Sequence, residues 1–300
     1  MRCVHDPELP RRGFFGLLGV GLATVLTGCA SMRTRVAGSA EPVPPAASDW
    51  ASEPGWPAQP GSPADALLDG ADAVPPALPS SRMSGRAVEL RAGPAGTRHI
   101  ALTVDDGYCT ECVAGFVAFA QRTGIHLTFS PNGVYAHAWA PHAPVLKPLI
   151  EAGQVQIMNH TFTHRSLTRM SAVQIRTELD RNEQWITQTF ATTARPYYRP
   201  PFGFHNAAVD DVAADVGFDR VVMWNGSFGN ATAVTPSFLM NQARRYLHPG
   251  VIMLGHANHD TILGLFDEIS RLIGGRDLEP VTLDEMFGTR RSVARLAKPR

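Results

Sequence analysis

Lysine is almost missing from this 300-residue chain, which has only Lys147 and Lys298; arginine supplies the other basic residues. Net charge is missing too, since 27 basic side chains balance 27 acidic ones. A neutral chain without a basic run offers no electrostatic footprint for nucleic acid and no marked attraction to acidic surfaces. No apolar run approaches the roughly 20 residues that a membrane-crossing helix needs. Cysteine is limited to Cys3, Cys29, Cys109 and Cys112. That count excludes a four-ligand structural zinc site of the all-cysteine kind within the folded region. Hydrophobic residues, at 44%, suffice for one real core, and the length suits one or two domains.

The N-terminal stretch is the first positive feature. Arg11 and Arg12 precede an apolar run from Phe14 to Leu26, which reads as an export signal. Pro10-Arg-Arg-Gly-Phe-Phe15 resembles the twin-arginine pattern. Leu26-Thr-Gly-Cys29 resembles a bacterial lipobox, with cleavage before Cys29 and lipid on its sulfur. Residues 1–28 are therefore expected to be a lipoprotein signal peptide. The mature chain is expected to be an exported lipoprotein, held to the bilayer by its lipid and facing the cell wall or periplasm. Residues 29–96 are dominated by Pro, Ala, Ser and Gly, with ten of the 24 prolines between 41 and 80. Such a segment buries too little apolar surface to offset the entropy of ordering it. It is read as a tether reaching from roughly 45 Å as a coil to about 200 Å if wholly polyproline-like. Cys109 and Cys112 are left, and in an oxidising compartment they read first as a small disulfide staple, with a redox C-x-x-C pair as the alternative.

From Thr97 the pattern becomes regular. Short apolar runs (Ile100–Val104, His126–Phe129, Val155–Met158, Tyr197–Arg199, Arg220–Trp224 and Val251–Leu254) alternate with helical spacing. The helices are expected at Val113–Thr123, Pro144–Ala152, from a capping box at Ser171–Gln174 to Thr189, Asn206–Val216, Ser237–Leu247 and Thr261–Ile273, the last capped by Asp260. Alternating strand and helix predicts an α/β domain over 97–290 with a parallel sheet and a short tail at 291–300. Functional loops should follow the strand ends.

Polar clusters stand at those ends. Asp105-Asp106-Gly107 offers two carboxylates that can point in different directions, one to a cation and one to a proton. His160-Thr-Phe-Thr-His164 places two imidazoles four residues apart, on one face if the backbone there is helical. Two histidines and one carboxylate leave an open coordination position, which is the mark of a catalytic rather than a structural metal site. Arg199-Pro-Pro-Phe-Gly203 reads as either a rigid turn or a shaped wall presenting a guanidinium and backbone N–H groups to a reacting centre. Ile252-Met-Leu-Gly-His256 is an apolar strand ending in histidine.

In this order the motifs Thr103–Gly107, His160–His164, Arg199–Gly203 and Leu254-Gly-His256 resemble the polysaccharide deacetylase (NodB-homology, carbohydrate esterase) family, over about 97–288. The resemblance implies a distorted (β/α) barrel of about seven parallel strands. It implies a polysaccharide substrate, acetyl removal from amino sugars, and one divalent cation, zinc foremost, on Asp106, His160 and His164. Asp105 would be the general base, with Arg199 holding it, and His256 the general acid. The backbone N–H of Phe202 would meet the oxyanion, and Leu254 and Trp224 would line the substrate slot. A monomer without nucleic-acid partners is expected. One stretch departs from the family: Asn230 and Ala231 stand roughly where an Asp-Trp pair is usual, and that Asp supports the acid histidine. A neutral amide can orient His256 but cannot stabilise its imidazolium, unless another acid such as Asp260 substitutes. The alternatives are a carbohydrate-binding protein with an impaired site and an O-acetyl esterase.

Overall fold

The computed structural model describes residues 87–288. The signal peptide, Cys29, nearly all of the proline-rich stretch and the C-terminal tail lie outside them. All ladder pairings in this region are parallel. Strands β1 (Val88–Leu90), β6 (Arg220–Val222) and β5 (Tyr197–Tyr198) form one sheet in the order β1-β6-β5. A second sheet runs β4 (Val155–Ile157), β3 (Leu127–Pro131), β2 (His99–Asp106), β8 (Ile252–His256) and β7 (Gly226–Ser227), with β9 (Glu279–Pro280) also on β2. A parallel bridge from Asn159 to Tyr198 joins the sheets on one side. On the other side the run 220–227 pairs first with β5 and then, as β7, with β8. The result is an α/β fold of parallel strands, in agreement with the expected class, in two sheets that do not close into a barrel among the described residues. Parallel strands need helical crossovers to cover their faces, which explains the near-continuous apolar strand sequences.

The helices fall close to their sequence expectations. Helix α1 (Thr110–Thr123) stops at Gly124, which takes a left-handed cap conformation. After a short α2 (Ala136–Trp139), α3 spans Ala143–Glu151. Helix α4 (Ala172–Phe190) opens on the anticipated capping box: Ser171 accepts from the Gln174 backbone, and Gln174 accepts in return from that of Ser171. Helices α5 (Ala207–Asp215) and α6 (Pro236–Tyr246) follow. The helix expected at Thr261–Ile273 divides instead into a 3-10 segment, Asp260–Leu265, and α7 (Phe266–Gly275). Asp260 makes no capping bond there, because it lies inside the 3-10 turn rather than before it. A last helix, α8, covers Leu283–Phe287.

One difference from the sequence reading concerns the start of the domain. Val88–Leu90 lies within the stretch read as tether, yet it pairs with β6, and Ala92 bridges to Val251. Three residues among prolines and glycines carry too little local pattern to be read as a strand; their pairing is long-range. The disulfide Cys109–Cys112 is formed, and the Cys109 sulfur also caps α1 by accepting from the Cys112 backbone.

Candidate active site

Asp105 and His256 are direct register partners at the ends of neighbouring strands β2 and β8. Because side chains alternate along a strand, Thr103 and Asp105 share one face. Arg199 reaches that face from beyond β5. Its Nη1 donates to Asp105 Oδ1 at 2.8 Å and to Thr103 Oγ1 at 2.9 Å, while Nε and Nη2 donate to the carbonyls of Val222 and Met223. Arg199 is fully buried, and burial holds its guanidinium below its ordinary pKa, with Asp105 opposing. The guanidinium therefore faces inward as a support for Asp105. It is not the exposed arginine of a rigid turn, the other reading that the Arg199–Gly203 motif allowed.

Asp106 ends β2 with a left-handed backbone, φ 64°. That turn carries its carboxylate away from Asp105 and toward the histidine loop. Gly107 follows at φ 93°, and a Cβ there would lie 2.3 Å from Trp139 Nε1. Only glycine lets Trp139 approach closely enough to donate to the Asp106 carbonyl, at 2.8 Å.

The His160–His164 segment is not helical. Thr161 and His164 both have positive φ, and the imidazoles converge because an irregular loop is tied down from several sides. Asn132 donates to the carbonyls of His160 and Thr161. Asn159 accepts from the Thr161 backbone, and Asn182 donates to that same Asn159 oxygen. The buried Glu178 carboxylate accepts from the backbones of Phe162 and Thr163 and from the Thr163 hydroxyl, at 2.8–3.0 Å. None of these supports stands out in the sequence. Their common trait is a polar residue at a strand end or on the inner face of α4.

Asp106, His160 and His164 come together as ligand atoms within 4.8 Å of one another. Asp106 Oδ1 lies 3.4 Å from His160 Nε2 and 3.3 Å from His164 Nε2. Two atoms that each sit about 2.0–2.1 Å from a shared ion at a tetrahedral angle lie roughly 3.4 Å apart. Asp106 Oδ1 is buried and makes no hydrogen bond among the described residues. His160 Nδ1 lies 2.8 Å from the Arg199 carbonyl, which can only accept, so the proton sits on Nδ1 and Nε2 presents a lone pair. This donor set fits a divalent cation. Burial works against charge on Asp106, but His164 and His160 outweigh it and hold the carboxyl far below the usual range. Burial pushes His164 down to about 4, against Asp106, which favours the neutral ligand form. His160 moves up: Asp105 and Asp106 outweigh its burial.

The remaining residues frame this centre. The Phe202 ring packs edge-on against His164, with centroids 4.7 Å apart, and Phe202 itself has φ 62° in the Pro201–Gly203 turn. Trp224 stands beside Gly203 and over the Arg199 guanidinium. Leu254 is buried on β8 opposite Thr103. A cavity of about 410 Å³ opens beside Phe202, lined also by Arg91, Thr168, Phe204 and His205.

Asn230 does not take the role that its place suggested. Its Nδ2 donates to the His256 carbonyl at 2.9 Å, and its Oδ1 accepts from the His256 backbone at 3.1 Å. It clamps the main chain and leaves the imidazole alone. His256 Nδ1 is buried without a hydrogen-bond partner among the described residues. Asp260 is exposed, and no hydrogen bond joins it to His256. Burial holds His256 below its ordinary pKa, with Asp106 and Asp105 opposing.

The family model for polysaccharide deacetylase matches residues 92–221. Peptidoglycan-N-acetylglucosamine deacetylase PgdA of Listeria monocytogenes is 25% identical over 206 residues, 66% of this chain and 41% of that protein. The chain thus spans about two fifths of that relative's length. Among solved structures, PdaA of Bacillus subtilis, a family 4 carbohydrate esterase, superposes with a TM-score of 0.59 at 23% identity, covering 68% of this chain and 86% of that one. A family 4 pseudoenzyme from Bacillus anthracis gives 0.59 at 19% identity, covering 66% and 68%. With its four motifs in family order and a family-model match over residues 92–221, the chain is similar to the polysaccharide deacetylase family, and it shares its parallel-stranded fold with these esterases.

Proposed function

We propose that this protein is a metal-dependent hydrolase that removes N-acetyl groups from the amino sugars of a cell-envelope polysaccharide such as peptidoglycan. The observation that carries the reading is the convergence of Asp106, His160 and His164 beside an Arg199-held Asp105. Asp106 Oδ1 and the two Nε2 atoms would hold the cation, which when bound supplies Lewis-acid polarisation of an acetamide carbonyl and a more acidic water. Asp105, fixed through Oδ1 by Arg199, takes the proton of the attacking water. His256, facing the same space from β8, returns a proton to the departing amine. Leu254 and Trp224 shape the slot for the acetyl methyl, and the cavity beside Phe202 has room for a neighbouring sugar. Export through the N-terminal signal and a lipid on Cys29 would place the domain beside that polymer.

The test is acetate release by metal-loaded protein from N-acetylated peptidoglycan fragments and chitin oligomers, alongside an O-acetylated oligosaccharide. Asp105→Asn should lower release about a thousandfold while one metal ion is retained. Release from the O-acetylated sugar alone would make the protein an esterase. A second reading, a glycan-binding protein without turnover, is favoured by His256 Nδ1, which has no hydrogen-bond partner among the described residues. It predicts glycan binding with no acetate under any metal loading.

A further inference from the structure

Asn258 lies two residues beyond β8 and is buried. Its Oδ1 accepts from the Gly107 backbone at 3.2 Å, and its Nδ2 donates to Asp106 Oδ2 at 2.8 Å. The amide orientation is dictated by the chemistry: the Gly107 N–H can only donate, so oxygen faces it, and the NH₂ is left for the carboxylate. Asp106 is thereby held at its own carbonyl by Trp139, at the next peptide by Asn258, and at Oδ2 by Asn258 again. Among the described residues, the one atom of its carboxylate left without a hydrogen bond is Oδ1, which is also the atom 3.3–3.4 Å from both histidine nitrogens.

We propose that Asn258 is a positioning residue that makes Asp106 a one-oxygen ligand. This inference rests on the metal-site reading above and says how that site keeps its open positions. A carboxylate free to rotate can chelate through both oxygens and fill a place that water or the substrate carbonyl needs. Holding Oδ2 in a hydrogen bond opposes that rotation. The job needs one donor and one acceptor on a single short side chain. Asparagine supplies both, aspartate lacks the donor, and alanine lacks both.

The experiment uses the full protein loaded with Co²⁺, which reports its coordination number in the visible spectrum, together with cation affinity from chelator competition. Wild type should take one equivalent and show the intense absorption of a low-coordinate site. Asn258→Ala should still take one equivalent, bind it 10- to 100-fold more weakly, and absorb less as the coordination number rises. Asn258→Asp is isosteric and keeps the Gly107 contact. It should show the same loss of absorption even though its added charge favours the cation. Wild-type spectra and affinities within twofold in both variants would overturn the role of Asn258 while leaving the metal site standing. Failure of wild type itself to bind Co²⁺ would overturn the metal reading and this inference with it.

Discussion

The two sides of the site are built to different standards. On the proposed metal side, two of the three candidate ligands are held directly, Asp106 by Trp139 and Asn258 and His160 by the Arg199 carbonyl, and the loop that leads to His164 is tied by Asn132, Asn159 and Glu178. On the opposite side, where the proton donor is proposed, His256 has a fixed backbone and an imidazole nitrogen with no partner among the described residues. The difference shows that backbone placement and side-chain electrostatics are separate requirements. Asn230 meets the first, and a carboxylate would be needed for the second.

The largest expected effect probes the braced side. Arg199→Ala leaves Asp105 buried without its cation, which should cost about 3–5 kcal/mol in urea unfolding. A loss below about 1 kcal/mol would mean that water replaces the guanidinium and that the brace is unimportant. His256→Ala comes next. If the imidazole still works as an acid despite its bare nitrogen, kcat should fall about a hundredfold, with KM and metal content unchanged. No change in kcat would show that the weaker side has no part in turnover.

Asn230→Asp sharpens the comparison further. It removes the donor to the His256 carbonyl and sets a carboxylate oxygen against it, so unfolding should become easier by about 1–3 kcal/mol without a gain in kcat. A large gain in kcat would mean that the new carboxylate swings to the imidazole. The smallest effect lies away from both sides, at His205, which is held between Asp210 and Glu89. The hydrogen bond to Asp210 raises its pKa against burial. Its stabilising effect should therefore be complete below about pH 6.5 and fade as pH rises through the folded value. The gap in melting temperature between wild type and His205→Asn should shrink from pH 6 to pH 9. A gap that widens would contradict the assignment.

Much of the metal side was legible in the sequence because its ligands are chemically distinctive and follow apolar runs. Strand ends gather such residues in a parallel sheet, so Asp106, His160, His164 and His256 could be grouped before any coordinates. The route by which they meet was not legible. Four-residue spacing suggested a helix, whereas Thr161 and His164 adopt left-handed backbone in a loop tied by distant amides. Asn258 and Asp106 are 152 positions apart, and an asparagine after a strand reads as an ordinary turn residue. Strand β1 escaped for the same reason, since its partner lies more than a hundred residues away. Asn230 was found by its place in the family pattern, but its double bond to the main chain of His256 could only be seen in three dimensions.

The most direct measurement is a cation titration of metal-stripped protein by equilibrium dialysis, on wild type and on Asp106→Ala, His160→Ala and His164→Ala. One zinc ion per wild-type chain, with affinity lowered more than a hundredfold in each variant, is the predicted result. A wild-type chain that takes up no ion, or variants that bind as well as wild type, would contradict the shared metal centre.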